Sequence, residues 1–88
     1  MSSDTEVVIY TRESCVHCDK IKSLYSGFQI DFVEKIIDET ENAYSYQSDF
    51  TDLAEAGWME VPAVVHGDQK AVGVQQCCDM LGSLPELN

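Results

Sequence analysis

Cys15 and Cys18, with Val16 and His17 between them, are the residues of this chain best suited to chemistry. Two thiols three residues apart can join in a disulfide and part again when they lie on one turn of a helix, because positions i and i+3 are neighbours there. The flanking residues supply that setting. Val7, Val8 and Ile9 form a short β-branched run suited to a buried strand, and Ile21, Leu24 and Tyr25 recur at helical spacing after the pair. Cys15 thus falls where a helix opens, and the unpaired backbone N–H groups and positive dipole end found there favour a thiolate over a thiol. A C-x-x-C at a strand-to-helix turn reads as a redox motif.

Charge supports the same stretch. The formal net charge is −11 and only five Lys or Arg residues are present, yet Arg12, Lys20 and Lys22 flank the cysteines. His17 is either a neighbour that stabilises the Cys15 thiolate or an exposed spacer. His66, at a strand end before Gly67, reads as structural. Cys77 and Cys78 are adjacent, so their side chains leave a helix in different directions; one is expected in the core as a small hydrophobe and the other as an accessory thiol. A rival reading of another class gathers Cys15, His17, Cys18 and Cys77 or Cys78 around zinc or an iron–sulfur cluster. The bare Cys77-Cys78 lacks the spacing of a second ligand pair, which weighs against it.

The elements that position the pair follow in order. Glu6 to Tyr10 is expected as a strand, Val16 to Ser26 as a helix stopped by Gly27, and Phe28 to Ile37 as a second strand. Val33 and Ile37 put apolar residues on both parities of that strand, as a central strand would have. Asp38 to Gly57 reads as one long helix through Tyr46, Phe50, Leu53 and Ala54. Val61 to His66 is a strand with Pro62 near its start, and Gly67 to Gln69 is the turn into a short strand, Lys70 to Val72. Gly73 precedes a last helix, Gln75 to Leu84. The order β-α-β-α-β-β-α implies a mixed four-stranded sheet covered by helices on both faces, with the first two strands parallel and the last two antiparallel.

Residues 1–88 suffice for one domain. No apolar run approaches the roughly 18–20 residues of a membrane span, and the polar start Met1-Ser2-Ser3-Asp4 lacks the pattern of a secretory signal. A reducing cytoplasmic setting is expected, in which four cysteines suit catalysis better than a structural framework. The acidity disfavours nucleic acid.

Taken together, Tyr10-Thr11-Arg12-x-x-Cys15-x-x-Cys18, Val61-Pro62 before the third strand and a glycine after the fourth resemble the glutaredoxins of the thioredoxin superfamily. The Cys15-Val16-His17-Cys18-Asp19 run is most similar to bacteriophage glutaredoxins and to the redoxins that serve ribonucleotide reductase. The resemblance implies a thioredoxin-like α/β fold and a monomeric thiol–disulfide oxidoreductase, with glutathione and disulfide-bonded proteins, ribonucleotide reductase among them, as partners. No bound cofactor is implied; glutathione is the expected co-substrate, and the electrons are expected from either the glutathione system or thioredoxin reductase.

Residue by residue, the resemblance makes Cys15 the nucleophile and Cys18 the resolving thiol. Arg12 stands where the family has a lysine that binds the glutathione carboxylate. Pro62 is implied to be a cis-proline, with the Val61 backbone pairing to a bound peptide or to glutathione as an added strand. Gly73, Val74 and Gln76 occupy the region that holds the γ-glutamyl end. The family's second glycine and its Asp are missing there, and Gln76 loses the charge that an Asp would bring to an ammonium.

Overall fold

Val7 and Ile9 leave one side of the first strand while Val8 and Tyr10 leave the other, and each side meets its own hydrophobic cluster. The computed structural model describes residues 6–55 and 60–82. Along them run β1 (Val7–Thr11), α1 (Val16–Gly27), β2 (Val33–Ile36), α2 (Thr40–Asp49), α3 (Thr51–Glu55), β3 (Ala63–His66), β4 (Gln69–Val72) and α4 (Gly73–Leu81). The strands form one sheet in the order β2-β1-β3-β4. β1 and β2 are parallel, Val8 facing Val33, whereas β1–β3 and β3–β4 are antiparallel.

Period-two burial on the strands and period-3.6 burial on the helices explain the layering. On one face, Val7, Ile9, Val64 and Ala71 pack under Ile21 and Tyr25 of α1 and Cys77, Met80 and Leu81 of α4. The Tyr25 hydroxyl donates to the Cys77 carbonyl at 2.9 Å and so ties the two helices together. On the other face, Tyr10 and Ala63 pack against Ile37, Tyr46 and Phe50. The mixed sheet with helices on both faces is as the sequence implied.

Three local expectations are corrected. The second strand covers only Val33–Ile36 and lies at the sheet edge rather than in its centre; Phe28 and Gln29 form a turn instead, with Gln29 in the left-handed region at φ 62°. An edge strand has one open side, and Val33 is accordingly exposed. The long acidic helix is two helices, broken at Phe50 (φ −125°, ψ 53°), where burying the ring against Tyr10 and Tyr46 wins over continuing the helix. α4 begins at Gly73, earlier than expected; Gly57 and Leu84, the expected ends of the second and last helices, lie outside the described residues.

Candidate redox site

Pairing of Tyr10 with Ala63 sets the end of β1 beside the start of β3, so Thr11 and Pro62 share one end of the sheet. From Thr11 the chain turns through Arg12 to Ser14, the last in the left-handed region at φ 57°. Asp38 holds this turn: one carboxylate oxygen lies 3.6 Å from the Arg12 Nε, and the other accepts from the Glu13 N–H at 3.4 Å. Cys15 then caps α1, its sulfur accepting from the Cys18 N–H at 3.1 Å. The two cysteines are joined as a disulfide, their Cα atoms 5.2 Å apart. Cys15 is half-buried whereas Cys18 is 1% exposed, so the outer sulfur belongs to Cys15.

The Val61–Pro62 bond is cis. The Pro62 carbonyl accepts from the Gly73 N–H at 2.8 Å, which draws the start of α4 to the same end of the sheet as Cys15. Gly73 has φ +88°, a left-handed conformation that calls for glycine, and a Cβ there would also stand 3.2 Å from a Glu60 carboxylate oxygen. Val61 packs on the Tyr10–Tyr46 cluster and Val74 on the opposite one. The Gln76 side-chain oxygen accepts from the Val72 N–H at 3.0 Å, so this amide helps to cap α4. The His17 side chain is exposed and makes no hydrogen bond with the described residues. The fold therefore brings Arg12, Cys15, Cys18, Val61, Pro62 and Gly73 to one end of the sheet and leaves His17 in solvent.

The positive flank is largely neutralised. Arg12 pairs with Asp38, and Lys22 lies 2.9 Å from Glu34 and 3.5 Å from Asp19. The hydrogen bond to Glu34 raises the Lys22 pKa, and the same bond holds the Glu34 carboxyl below the usual carboxylate range. Among the three cations, Lys20 alone has no ion pair with the described residues. No group of three His, Cys, Asp or Glu side chains among the described residues is gathered to hold a metal ion, and no helix among them is long and apolar enough to cross a membrane. A cavity of about 540 Å³ runs beside the site, lined by Phe50, Glu60, Lys70, Val72 and Gln76 among others, but not by Cys15 or Cys18.

Cys77 lies beneath Pro62, fully buried, with its sulfur 3.5 Å from the Pro62 carbonyl. Burial, then the neighbouring Cys78 and Glu60, push this thiol up to about 12. A raised folded pKa stabilises the fold below the ordinary thiol value of about 8.5, and the benefit is lost as pH rises toward the folded value. Urea unfolding should accordingly show stability falling above pH ~9, by at most about 1.4 kcal/mol per pH unit from this group. Cys77→Ala should flatten the curve between pH 9 and 10, roughly from the thiol range up to where tyrosines begin to ionise. An unchanged slope would mean that Cys77 ionises alike in both states.

Three residues of the site had escaped the sequence reading: Asp38, Tyr46 and Glu60. Only Glu60 carried a signal, its place directly before Val61-Pro62.

A family model described as Glutaredoxin matches residues 7–71. No curated protein sequence matches the chain. Among solved structures, NrdH-redoxin from Escherichia coli, a glutaredoxin-like protein with a thioredoxin-like activity profile, is 28% identical with a TM-score of 0.68, over 90% of this chain and 93% of that one. Glutaredoxin from Brucella melitensis is 23% identical with a TM-score of 0.68, over 98% and 94%. A buckwheat glutaredoxin–glutathione complex is 18% identical with a TM-score of 0.67, over 94% and 73%. The last two bear on the fold.

Proposed function

This chain belongs to the glutaredoxin family and is a thiol–disulfide oxidoreductase, and we propose that it works by a dithiol route on protein disulfides, fed by thioredoxin reductase in preference to glutathione. The observation that carries the reading is the pair itself: a half-buried Cys15 capping α1 and bonded to a buried Cys18. In the reduced protein the Cys15 thiolate, held by the Cys18 N–H and the helix dipole, attacks one sulfur of the client disulfide. That S–S bond breaks, one client sulfur leaves as thiolate, and a Cys15–client mixed disulfide forms. Cys18, as thiolate, then attacks the Cys15 sulfur and releases the second client thiolate. The client gains two electrons and takes up protons from solvent, while Cys15–Cys18 is oxidised to the form described above.

Three features support the choice of electron source. Arg12 is engaged by Asp38, the Gln76 oxygen is engaged by Val72, and the 28% identical neighbour has a thioredoxin-like activity profile. Ribonucleotide reductase is the client to try first, because the Cys15–Cys18 run resembles that of the redoxins that serve it. Two assays test the reading. NADPH oxidation is followed with thioredoxin reductase and, in parallel, with glutathione and glutathione reductase, where faster turnover with glutathione would overturn the proposed source. Cys18→Ser should stop protein-disulfide turnover and accumulate a Cys15–client adduct visible by mass spectrometry; undiminished turnover would remove Cys18 from the resolving role.

A further inference from the structure

Glu60 stands one residue ahead of the cis Val61–Pro62 bond, and its backbone is pinned by one side chain. The Tyr46 hydroxyl donates to the Glu60 carbonyl at 2.8 Å and accepts from the Glu60 N–H at 3.1 Å. The carboxylate lies flat over Gly73, its two oxygens 3.2 and 3.6 Å from where a Cβ would stand. Val72, which caps α4, offers no side-chain acceptor of its own. The carboxylate thus rests against the positive end of a nine-residue helix. Among the described residues no cation pairs with it, although Lys70 lines the same cavity. Its field reaches inward too, since it contributes to the rise of the Cys77 pKa.

We propose that Glu60 sets the charge preference of the Cys15–Cys18 centre, favouring disulfides that carry positive charge and disfavouring anionic ones. The inference rests on the reading of these cysteines as the exchange pair. Its physical basis is position. The Gly73 N–H to Pro62 bond and the Tyr10–Ala63 pairing set Glu60 and Pro62 at the end of the sheet from which the chain turns toward Cys15, so the carboxylate's field bears on a substrate presented there. Of the three cations that flank the cysteines, Arg12 and Lys22 are both in ion pairs with described residues, which leaves Lys20 to offset it. A client peptide bearing Lys or Arg beside its disulfide is the substrate class that fits, whereas glutathione disulfide, rich in carboxylates, does not.

The test uses three small symmetrical disulfides: cystamine (cationic), bis(2-hydroxyethyl) disulfide (neutral) and 3,3′-dithiodipropionate (anionic). Rate constants for their reaction with the reduced protein are compared between the native chain and Glu60→Gln, so that the differing acidities of the leaving thiols cancel. Glu60→Gln should lower the cystamine-to-dithiodipropionate ratio about fivefold and leave the neutral disulfide within about twofold. Glu60→Ser, a second way of removing the carboxylate, should give the same shift. Asp68→Asn removes the same charge at the β3–β4 turn, at the far end of the sheet, and should leave the ratio unchanged. An unchanged ratio in both Glu60 variants, or an equal fall in Asp68→Asn, overturns the proposal while the exchange reading stands. Failure of the native chain to reduce even the neutral disulfide overturns the exchange reading itself.

Discussion

Cys15→Ser should reduce thiol–disulfide exchange to the level of the buffer blank while leaving the protein folded. The two halves of that expectation have separate causes. Attack on a disulfide needs a sulfur nucleophile that ionises near neutral pH, which a serine hydroxyl does not. Folding is spared because the Cys15 sulfur also caps α1 by accepting from the Cys18 N–H, and serine is among the best residues for that task. Circular dichroism should therefore match the native chain, and the thermal midpoint should move by only a few degrees, roughly the shift that 1 kcal/mol produces in a domain of this size. Cys78→Ser is the control, since that half-buried free thiol packs against the α1–α4 core. It should retain turnover. Residual exchange in Cys15→Ser that disappears in the double variant with Cys78→Ser would transfer the nucleophile's role to Cys78.

The redox pair and the sheet were legible because both rest on local pattern. The β-branched run Val7 to Ile9 predicted a buried strand, and C-x-x-C before the Ile21–Tyr25 spacing predicted a helix that opens at Cys15; both are present. What escaped depends on contacts between residues distant in sequence. Val33 and Ile37 gave the second strand apolar residues on both parities, but only the strand order reveals that β2 lies at an edge. Phe50 fits helical spacing with Tyr46, and the break there follows from burial against Tyr10, forty residues earlier in the chain. At the site, a cluster of cations around Cys15 was apparent in one dimension, whereas their neutralisation by Asp38 and Glu34 exists only in three. Gln76 likewise suggested a ligand contact, yet its oxygen bonds to Val72 on the same helix end.

Tyr46 makes the strongest case for a residue that no motif announces. Its ring is fully buried, edge-on to Tyr10 at 5.4 Å and tilted against Phe50 at 5.0 Å, and its hydroxyl satisfies both backbone groups of Glu60. Tyr46→Phe keeps the ring and strands a part-buried N–H and C=O, which should cost about 1–3 kcal/mol. In a chain of this size each kcal/mol lowers the thermal midpoint by about 4–8 °C. Tyr46→Ala also removes the ring and should cost about 3–5 kcal/mol, a large share of the roughly 5–15 kcal/mol that holds a small domain folded. The functional effect separates from the stability effect at a temperature where Tyr46→Phe is fully folded. Freed of its tether, the segment from Glu60 to Pro62 should hold a client peptide less well, so KM for a protein disulfide should rise more than kcat falls. For bis(2-hydroxyethyl) disulfide, too small to span that segment, KM should stay close to the native value. A midpoint within a degree of native would show that water replaces the hydroxyl at no cost, and an equal rise in KM for both substrates would make Tyr46 a stability residue alone.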